Sequence, residues 1–182
     1  MKIYLARHAE TNYNVQKLCN ADPSVDVHLT DRGVEQAESL SKRLLDSDFE
    51  VVFISELPRT RQTAEIVNRL HSRQLIVDSR LNDNRTGYEG KPESDWLAAV
   101  DASEDKWTAK YNDGESLGAA NARAVGFMRD LERQPYNSVL IVTHGFITKA
   151  ILSYVENRTI DEASDFQLPK GTYVEFEIIK KI

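Results

Sequence analysis

Two histidines and two arginines follow apolar runs that have the length of buried strands. Arg7 and His8 come directly after the first run. Arg59 follows a second run, and His144 comes directly after a third. A guanidinium is permanently charged and its planar fork matches phosphate oxygens, whereas a neutral imidazole can attack phosphorus and form a covalent phosphohistidine. Clustered donors also stabilise the charge of a phosphoryl group in transit, so these side chains together predict phosphoryl-transfer chemistry.

The elements that would position these side chains follow from the hydrophobic pattern. The predicted strands are residues 3–6, 51–54, 75–77 and 139–142, with a further strand at 172–178 whose alternation leaves one face in solvent. The predicted helices begin near residue 31, run over 59–71 and 117–133, and begin again near 146. The segment 82–92 is predicted to be a loop.

This alternation predicts an α/β fold: a three-layer α/β/α sandwich with a mostly parallel central sheet and an antiparallel edge strand. The length predicts one domain over residues 1–182. In a parallel sheet, ligands bind at the carboxyl ends of the strands. The two histidines and two arginines fall at those ends, so we expect them in one crevice.

The first three predicted helices each have an apolar face. Thr30 or Asp31 would cap the first helix. Its face consists of Val34, Ala37, Leu40, Leu44 and Leu45, and that of the second helix of Ala64, Val67 and Leu70. The long third helix would turn Ala120, Ala124, Phe127, Met128 and Leu131 inward.

The charge balance limits the kinds of partner. Lys and Arg number 23 and Asp and Glu number 29, which gives a formal net charge of −6. An acidic chain is not expected to bind nucleic acid, because nonspecific binding needs a basic surface. A few local arginines can still attract a small anionic substrate into a cleft. We therefore expect a small phosphorylated substrate and no nucleic acid.

The cysteine content and the apolar segments indicate the cellular location. The single cysteine, Cys19, cannot form an intrachain disulfide, which is typical of the reducing cytoplasm. The apolar stretch at the N-terminus is too short for a signal peptide, and no apolar run approaches the length of a membrane span. We therefore expect a cytoplasmic protein with no membrane partner, and the sequence predicts no oligomeric state.

Five blocks of the sequence resemble one family. Residues 7–14, Arg-His-Ala-Glu-Thr-Asn-Tyr-Asn, resemble the Arg-His-Gly-Glu-Thr-x-x-Asn signature of the histidine phosphatase superfamily, in its phosphoglycerate-mutase-like branch. Residues 29–37, 55–64, 114–116 and 143–145 are similar to four further blocks, in the family's order and across nearly the whole chain.

The resemblance implies a role for each matched residue. His8 would be the phosphorylated nucleophile, and Arg7 and Arg59 would bind the phosphate. His144 would complete the pocket and stabilise the transition state. Asn14 would contribute a side-chain donor to the same pocket.

The start of the last predicted helix offers a further donor for the phosphate. The backbone N–H of Gly145 would face the anion if this residue opens a helix. No metal or other cofactor is required if the arginines and the second histidine supply the positive field. Glu115 is expected to hold His144 or the pocket wall.

The sequence departs from the family pattern at two places. Ala9 stands where the family has glycine, which matters only if the position needs a positive φ or a close approach to phosphate. Asp83 stands in place of the family's acidic glutamate, and we expect it to be the general acid. Glu89 is the alternative acid and a candidate for substrate binding. Asp83 could instead be only a turn-forming residue in its loop.

Three functions are compatible with these residues. We expect metal-independent phosphomonoester hydrolysis, because residues 90–114 leave little chain for the closed lid that a phosphoglycerate-type mutase needs. Trp96, Trp107 and Tyr111 in that segment would form either a small cap or part of the core. The second alternative is a catalytically impaired pseudoenzyme that only binds phosphate.

Overall fold

The computed structural model describes residues 1–163 and 166–179, and the remaining residues of the predicted domain lie outside this description. Five strands form one sheet. They are β1 (Lys2–Arg7), β2 (Val51–Ile54), β3 (Gln74–Val77), β4 (Ser138–Thr143) and β5 (Tyr173–Glu177). Their spatial order is β3-β2-β4-β1-β5. All neighbours are parallel except β1 and β5, so the predicted mostly parallel sheet with an antiparallel edge strand is confirmed.

Six helices are described, of which the second and third pack on one face of this sheet and the fifth and sixth on the other. They are α1 (Asn12–Gln16), α2 (Asp31–Arg43), α3 (Pro58–Asn68), α4 (Glu93–Asp101), α5 (Leu117–Leu131) and α6 (Gly145–Val155). A short 3-10 turn, Ser79–Leu81, follows β3.

The core consists of two layers because successive strand residues point to opposite faces. One face of the sheet packs Ile3 and Ile141 against Phe127 of α5 and Ile151 of α6. The other face packs Tyr4, Val52 and Leu140 against Leu40 of α2 and Ala64 of α3. The two clusters establish the α/β/α sandwich that the sequence predicted.

Three predicted core positions are wrong. Val34, Leu45 and Leu70 are 36%, 54% and 60% exposed. The buried face of α2 begins at Gly33, where an added Cβ would come within 2.0 Å of the Glu10 carbonyl oxygen. That close approach turns the helix so that Val34 faces solvent. Leu70 is exposed because α3 ends at Asn68, two residues before it.

The segment between 90 and 114 contains one regular element, α4. Trp96 is partly buried on it, and Trp107 is 38% exposed, so neither indole belongs to the buried clusters. Over the described ranges, every helix is too short or too polar to span a bilayer.

Candidate active site

The carboxyl ends of three adjacent strands meet at one place. In the order β2-β4-β1, Arg7 pairs with Thr143 across the sheet, and Ile54 pairs with Val142. His8, Ser55 and His144 are the next residues of these strands and therefore lie side by side. The ring centroids of His8 and His144 are 5.1 Å apart. The structure thus brings together the two imidazoles that the sequence placed in one crevice.

His8 is held through its Nδ1 atom. Nδ1 lies 2.7 Å from the Ala9 carbonyl oxygen, and because a carbonyl can only accept, Nδ1 carries the proton. The lone pair is then on Nε2, which no described residue contacts by a hydrogen bond. The backbone N–H of His8 donates to the Thr143 carbonyl at 2.9 Å and fixes the residue at the sheet edge. His8 is thus a neutral imidazole with a free ring nitrogen.

The tautomer of His144 follows from its donors. Nε of Arg59 donates to Nδ1 of His144 at 3.2 Å, and because a guanidinium can only donate, Nε2 carries the proton. Nε2 then donates to the Ser55 hydroxyl at 2.9 Å. Ser55 Oγ lies 2.8 Å from Thr60 Oγ1, which donates to the Leu57 carbonyl. This directed chain locks the imidazole in one orientation.

Arg59 enters the site from the first turn of α3 and is almost fully buried. Its Nη1 donates to the side-chain oxygen of Asn20 at 2.6 Å, and its Nη2 donates to the Asn20 carbonyl at 3.0 Å. Nη2 also donates to Oδ2 of Asp83 at 3.2 Å. The sequence pattern did not identify Asn20, whose contacts depend on a loop that folds back on the sheet.

Arg7 extends from the end of β1 and has open donors. Its Nη1 donates to the Leu168 carbonyl at 3.0 Å, whereas its buried Nε lacks a partner among the described residues. The guanidinium lies on Gly145, where an added Cβ would be 3.0 Å from Cζ and 3.1 Å from Nη2. Gly145 opens α6, as expected, and its N-cap His144 makes no side-chain capping bond. The first N–H groups of α6 are therefore left for another acceptor.

Replacing Gly145 by alanine is expected to displace the Arg7 guanidinium and lower kcat/KM by about 10- to 100-fold, because small misplacements of a binding group are costly. Most of the change should appear in KM for p-nitrophenyl phosphate. Gly126→Ala is the matched control, since its Cβ would meet nothing within 4 Å. Equal kinetics for the two variants would show that Arg7 does not depend on contact with Gly145.

The loop that carries Asp83 is fixed from behind by Arg123 of α5. Arg123 donates to the carbonyl oxygens of Arg80, Asn82 and Asp83 at 2.8, 2.6 and 2.9 Å. Its Nη2 also pairs with Glu115 at 2.7 Å. Glu115 therefore holds the Asp83 loop through Arg123, and its hydrogen bonds within the described residues go to Arg123 and the Arg85 N–H rather than to His144. No pattern in the sequence points to Arg123, which lies on α5, about 40 positions after the loop that it holds.

The side chain of Asp83 faces both cationic and neutral partners. Its Oδ2 is 3.2 Å from Nη2 of Arg59 and 3.7 Å from Nδ1 of His144. Its Oδ1 accepts the Asn84 backbone N–H at 3.1 Å. The Asp83 carboxyl group thus lies beside the Arg59 guanidinium and the His144 imidazole.

Asn14 and Glu89 have different positions relative to the site. Asn14 Oδ1 accepts the Thr11 N–H at 3.2 Å in the capping box of α1, which leaves the amide nitrogen as a donor without a partner among the described residues. Glu89 is exposed, and its carboxylate accepts from Nδ2 of Asn20 and the N–H of Ala21 at 2.6 and 2.7 Å. The structure places Glu89 behind Asn20 rather than beside His8.

A cavity of about 150 Å³ opens beside these residues. Arg7, Asn14 and Asp83 line it, together with Trp96 from the predicted cap segment. Four further lining residues had no signal in the sequence: Lys17, Asn20, Glu93 and Lys170. Within the described ranges, no group of three or more His, Cys, Asp or Glu side chains is arranged to hold a metal ion.

Ala9, the residue that replaces the family's glycine, fits without strain. It is not among the described residues with positive φ. Its N–H donates to Thr63 Oγ1 at 3.1 Å, and its methyl group packs with Leu29, Ala37 and Ile66. The substitution therefore leaves the backbone of the site unstrained.

Burial and positive charge keep both histidines neutral. Burial lowers the pKa of His8 well below its ordinary value, and the Arg59 guanidinium lowers it further. Burial and Arg59 likewise hold the pKa of His144 well below the usual range. Burial also lowers the pKa of Arg7 and of Arg59, which stay charged at neutral pH.

These shifts predict that acid destabilises the fold. Because the folded-state pKa values lie below the unfolded value of about 6.5, the stabilisation is complete above that pH and is lost as the pH falls below it. Each histidine should lower the free energy of unfolding by up to about 1.4 kcal/mol per pH unit. Urea unfolding at several pH values measures this dependence. Below about pH 6.5, the free energy of unfolding should fall less steeply with decreasing pH in His8→Gln than in the wild type. Equal slopes would mean that His8 titrates normally.

Comparisons with known proteins find a family match and several relatives. Residues 3–181 match the model of the histidine phosphatase superfamily (branch 1). Fructose-2,6-bisphosphatase of Saccharomyces cerevisiae is 32% identical over 96% of this chain, which spans only 38% of the yeast protein's length. The adenosylcobalamin/alpha-ribazole phosphatase of Escherichia coli is 28% identical over 100% of this chain and 92% of its own. The crystal structure of the alpha-ribazole phosphatase from Shigella flexneri superposes with a TM-score of 0.85 at 27% identity, over 98% of this chain and 91% of the other.

The fold, the site and the phosphatase-named relatives support a hydrolase of the phosphomonoesterase class. The chain belongs to branch 1 of the histidine phosphatase superfamily, as the resemblance of its sequence blocks implied.

Proposed function

We propose that this chain hydrolyses small phosphomonoesters through a covalent phosphohistidine on Nε2 of His8, without a metal ion. The observation that carries the proposal is the bond from Nδ1 of His8 to the Ala9 carbonyl, which leaves Nε2 as the nucleophile. When Nε2 becomes phosphorylated, the ring gains positive charge, and the same carbonyl stabilises it.

In the first step, Nε2 of His8 attacks phosphorus and the P–O bond to the leaving group breaks. The protonated carboxyl of Asp83 gives its proton to the leaving oxygen and becomes a carboxylate. The products of this step are a free alcohol and a phosphohistidine. Asp83 fits the role of acid because its carboxyl group lies 3.7 Å from Nδ1 of His144, whose ring is beside that of His8.

In the second step, water attacks phosphorus and the N–P bond breaks. The carboxylate of Asp83 accepts the proton that water loses and is restored as the acid. Inorganic phosphate leaves, and His8 returns to its neutral form. The proton given in the first step is thus recovered in the second.

Several donors of the protein can stabilise the negative charge of the phosphoryl group during its transfer. Arg7 offers a buried Nε without a partner in the described ranges, and Arg59 lies across the site. Asn14 offers its amide nitrogen at the cavity, and the first N–H groups of α6 begin at Gly145, which lies against the Arg7 guanidinium. This donor set supports catalysis that needs no metal.

The leaving group would be small and polar. The cavity beside Arg7 has about 150 Å³ and a mostly hydrogen-bonding lining. Glu93 and Trp96, both from α4, line it, so we propose that residues 90–114 act as the cap that selects the leaving group. With one helix and no larger insertion between 90 and 114, this cap favours hydrolysis over mutase chemistry, which needs a pocket closed to water.

The proposal is tested by p-nitrophenyl phosphate turnover with and without EDTA. We expect equal rates in both conditions and no conversion of 3-phosphoglycerate to 2-phosphoglycerate. Efficient conversion would establish the mutase instead. Absence of turnover on every phosphomonoester in a panel, with inorganic phosphate still bound, would establish the phosphate-binding pseudoenzyme.

A further inference from the structure

The two arginines of the site differ in how their donors are used. Arg59 directs Nε to His144, both Nη atoms to Asn20, and Nη2 also to the carboxylate of Asp83. Arg7 uses Nη1 for the Leu168 carbonyl and keeps its buried Nε unpartnered within the described residues. Arg7 can therefore receive an anion through several donors. Arg59 has committed four of its five N–H groups within the described residues, so it can offer an anion a second donor only by exchanging a partner.

The contacts of Arg59 also differ in how easily an incoming anion could replace them. Asn20 is fixed on its far side, because its Nδ2 donates to Glu89 at 2.6 Å. Asp83 is part-exposed, and its Oδ2 makes a single bond of 3.2 Å to Arg59. The backbone of Asp83 is held separately by Arg123, so its side chain can rotate away while the loop stays in place. Of these contacts, the Asp83 bond is the one that an incoming anion can replace.

We propose that the Asp83 carboxylate occupies the position on Arg59 that the phosphoryl group takes, so that substrate binding displaces Asp83 and causes it to take up a proton. This inference rests on the proposed function and concerns the same site. A carboxylate and a phosphoryl oxygen compete for the same guanidinium face. Once displaced, the carboxylate loses its cationic partner and faces a dianion, and both changes favour its neutral form.

Replacement of Asp83 by the phosphoryl group on Arg59 explains how a carboxyl group that is paired with an arginine can still donate a proton. Without substrate, the Asp83 carboxyl group is paired with Arg59 at 3.2 Å. With a phosphoryl group in that position, it takes one proton from solvent and then gives that proton to the leaving oxygen. The acid is thus protonated when substrate occupies the site, and the pairing that opposes acid catalysis is removed by the substrate itself.

Other groups near Asp83 can also respond to an anion. His144 lies 3.7 Å from it at the start of α6, and the imidazole of His8 lies beyond His144. Arg59 from α3, Arg7 from β1 and Arg123 from α5 contribute positive charge from the other sides. Because the two histidines can take up protons as well, the test must separate their contribution from that of Asp83.

Inorganic sulfate is the probe, because it takes up no proton near pH 6 and cannot be hydrolysed. Binding is followed by calorimetry in two buffers of different ionisation enthalpy, which gives both the affinity and the protons taken up. We expect Asp83→Asn to bind sulfate at least about tenfold more tightly than the wild type, with a smaller proton uptake. Glu93→Gln is the matched control, since it removes a carboxylate from the same cavity that is not bonded to Arg59.

We expect the control to keep the full proton uptake and to tighten sulfate binding less than Asp83→Asn does. Equal tightening in both variants would show a general effect of charge and overturn the displacement. Full proton uptake in Asp83→Asn, from an enzyme whose wild type hydrolyses p-nitrophenyl phosphate, would overturn the displacement and leave the proposed function intact.

Discussion

Replacement of His8 by alanine is expected to lower kcat for p-nitrophenyl phosphate at least about a thousandfold, because the residue supplies the attacking atom. The affinity for inorganic phosphate should change much less, since the arginines and α6 are untouched. Steady-state kinetics and competition by inorganic phosphate measure the two effects separately.

The control for this variant is His28→Gln, which changes an exposed histidine away from the sheet edge. Its kcat should equal that of the wild type. His8→Gln keeps more of the buried volume, so an equal loss of activity in both His8 variants, with a cooperative unfolding transition, shows that the fold is not the cause. Activity within tenfold of the wild type in His8→Ala would exclude His8 as the nucleophile.

The second large effect is expected at Asp83. Asp83→Asn should slow hydrolysis of alkyl phosphates by about 100- to 10,000-fold, because their leaving oxygen must be protonated. The same variant should slow p-nitrophenyl phosphate far less, since nitrophenolate leaves without much help. The measurement is a plot of log kcat/KM against the pKa of the leaving group, which should become steeper in the variant.

Glu89→Gln is the paired variant for this prediction. In the wild type, the Glu89 carboxylate holds Asn20, which in turn binds Arg59. We therefore expect the variant to lose a modest part of its kcat/KM, by the same factor for all leaving groups. A steeper dependence on the leaving group in Glu89→Gln than in Asp83→Asn would assign the acid to Glu89. Equal losses on both substrate types in Asp83→Asn would show that Asp83 donates no proton.

The strands and the position of the site could be predicted from the sequence. The apolar runs before His8 and His144 are too hydrophobic for an exposed segment, and parallel strands end at one edge. That argument needs only local pattern and the general geometry of α/β sheets. It correctly placed both imidazoles at that edge, and the observed separation of 5.1 Å between their centroids agrees with it.

The supports of the site could not be predicted in the same way. Asn20 reaches Arg59 from a loop, and Arg123 reaches three carbonyl groups from α5. Both contacts join residues about 40 positions apart, and neither leaves a periodic signal in the sequence. Lys170 lies at the cavity for the same reason: the chain returns to β1 only when it forms the edge strand.

The errors in the helices have a related cause. Hydrophobic spacing assigns a face to α2 but does not show which neighbour approaches it. The Glu10 carbonyl approaches Gly33 so closely that no side chain fits there, and this contact sets the rotation that exposes Val34. A glycine inside a helix was the available signal, and its meaning depends on a segment more than twenty positions earlier.

Trapping of the phosphoenzyme tests the central claim most directly. The protein is mixed with p-nitrophenyl phosphate, quenched in alkali and digested, and the peptides are examined by mass spectrometry and phosphorus NMR. We predict one acid-labile, alkali-stable phosphoryl group on Nε2 of His8, formed and lost at rates that account for turnover. A phosphoryl group on another residue, or on Nδ1 of His8, would contradict the account.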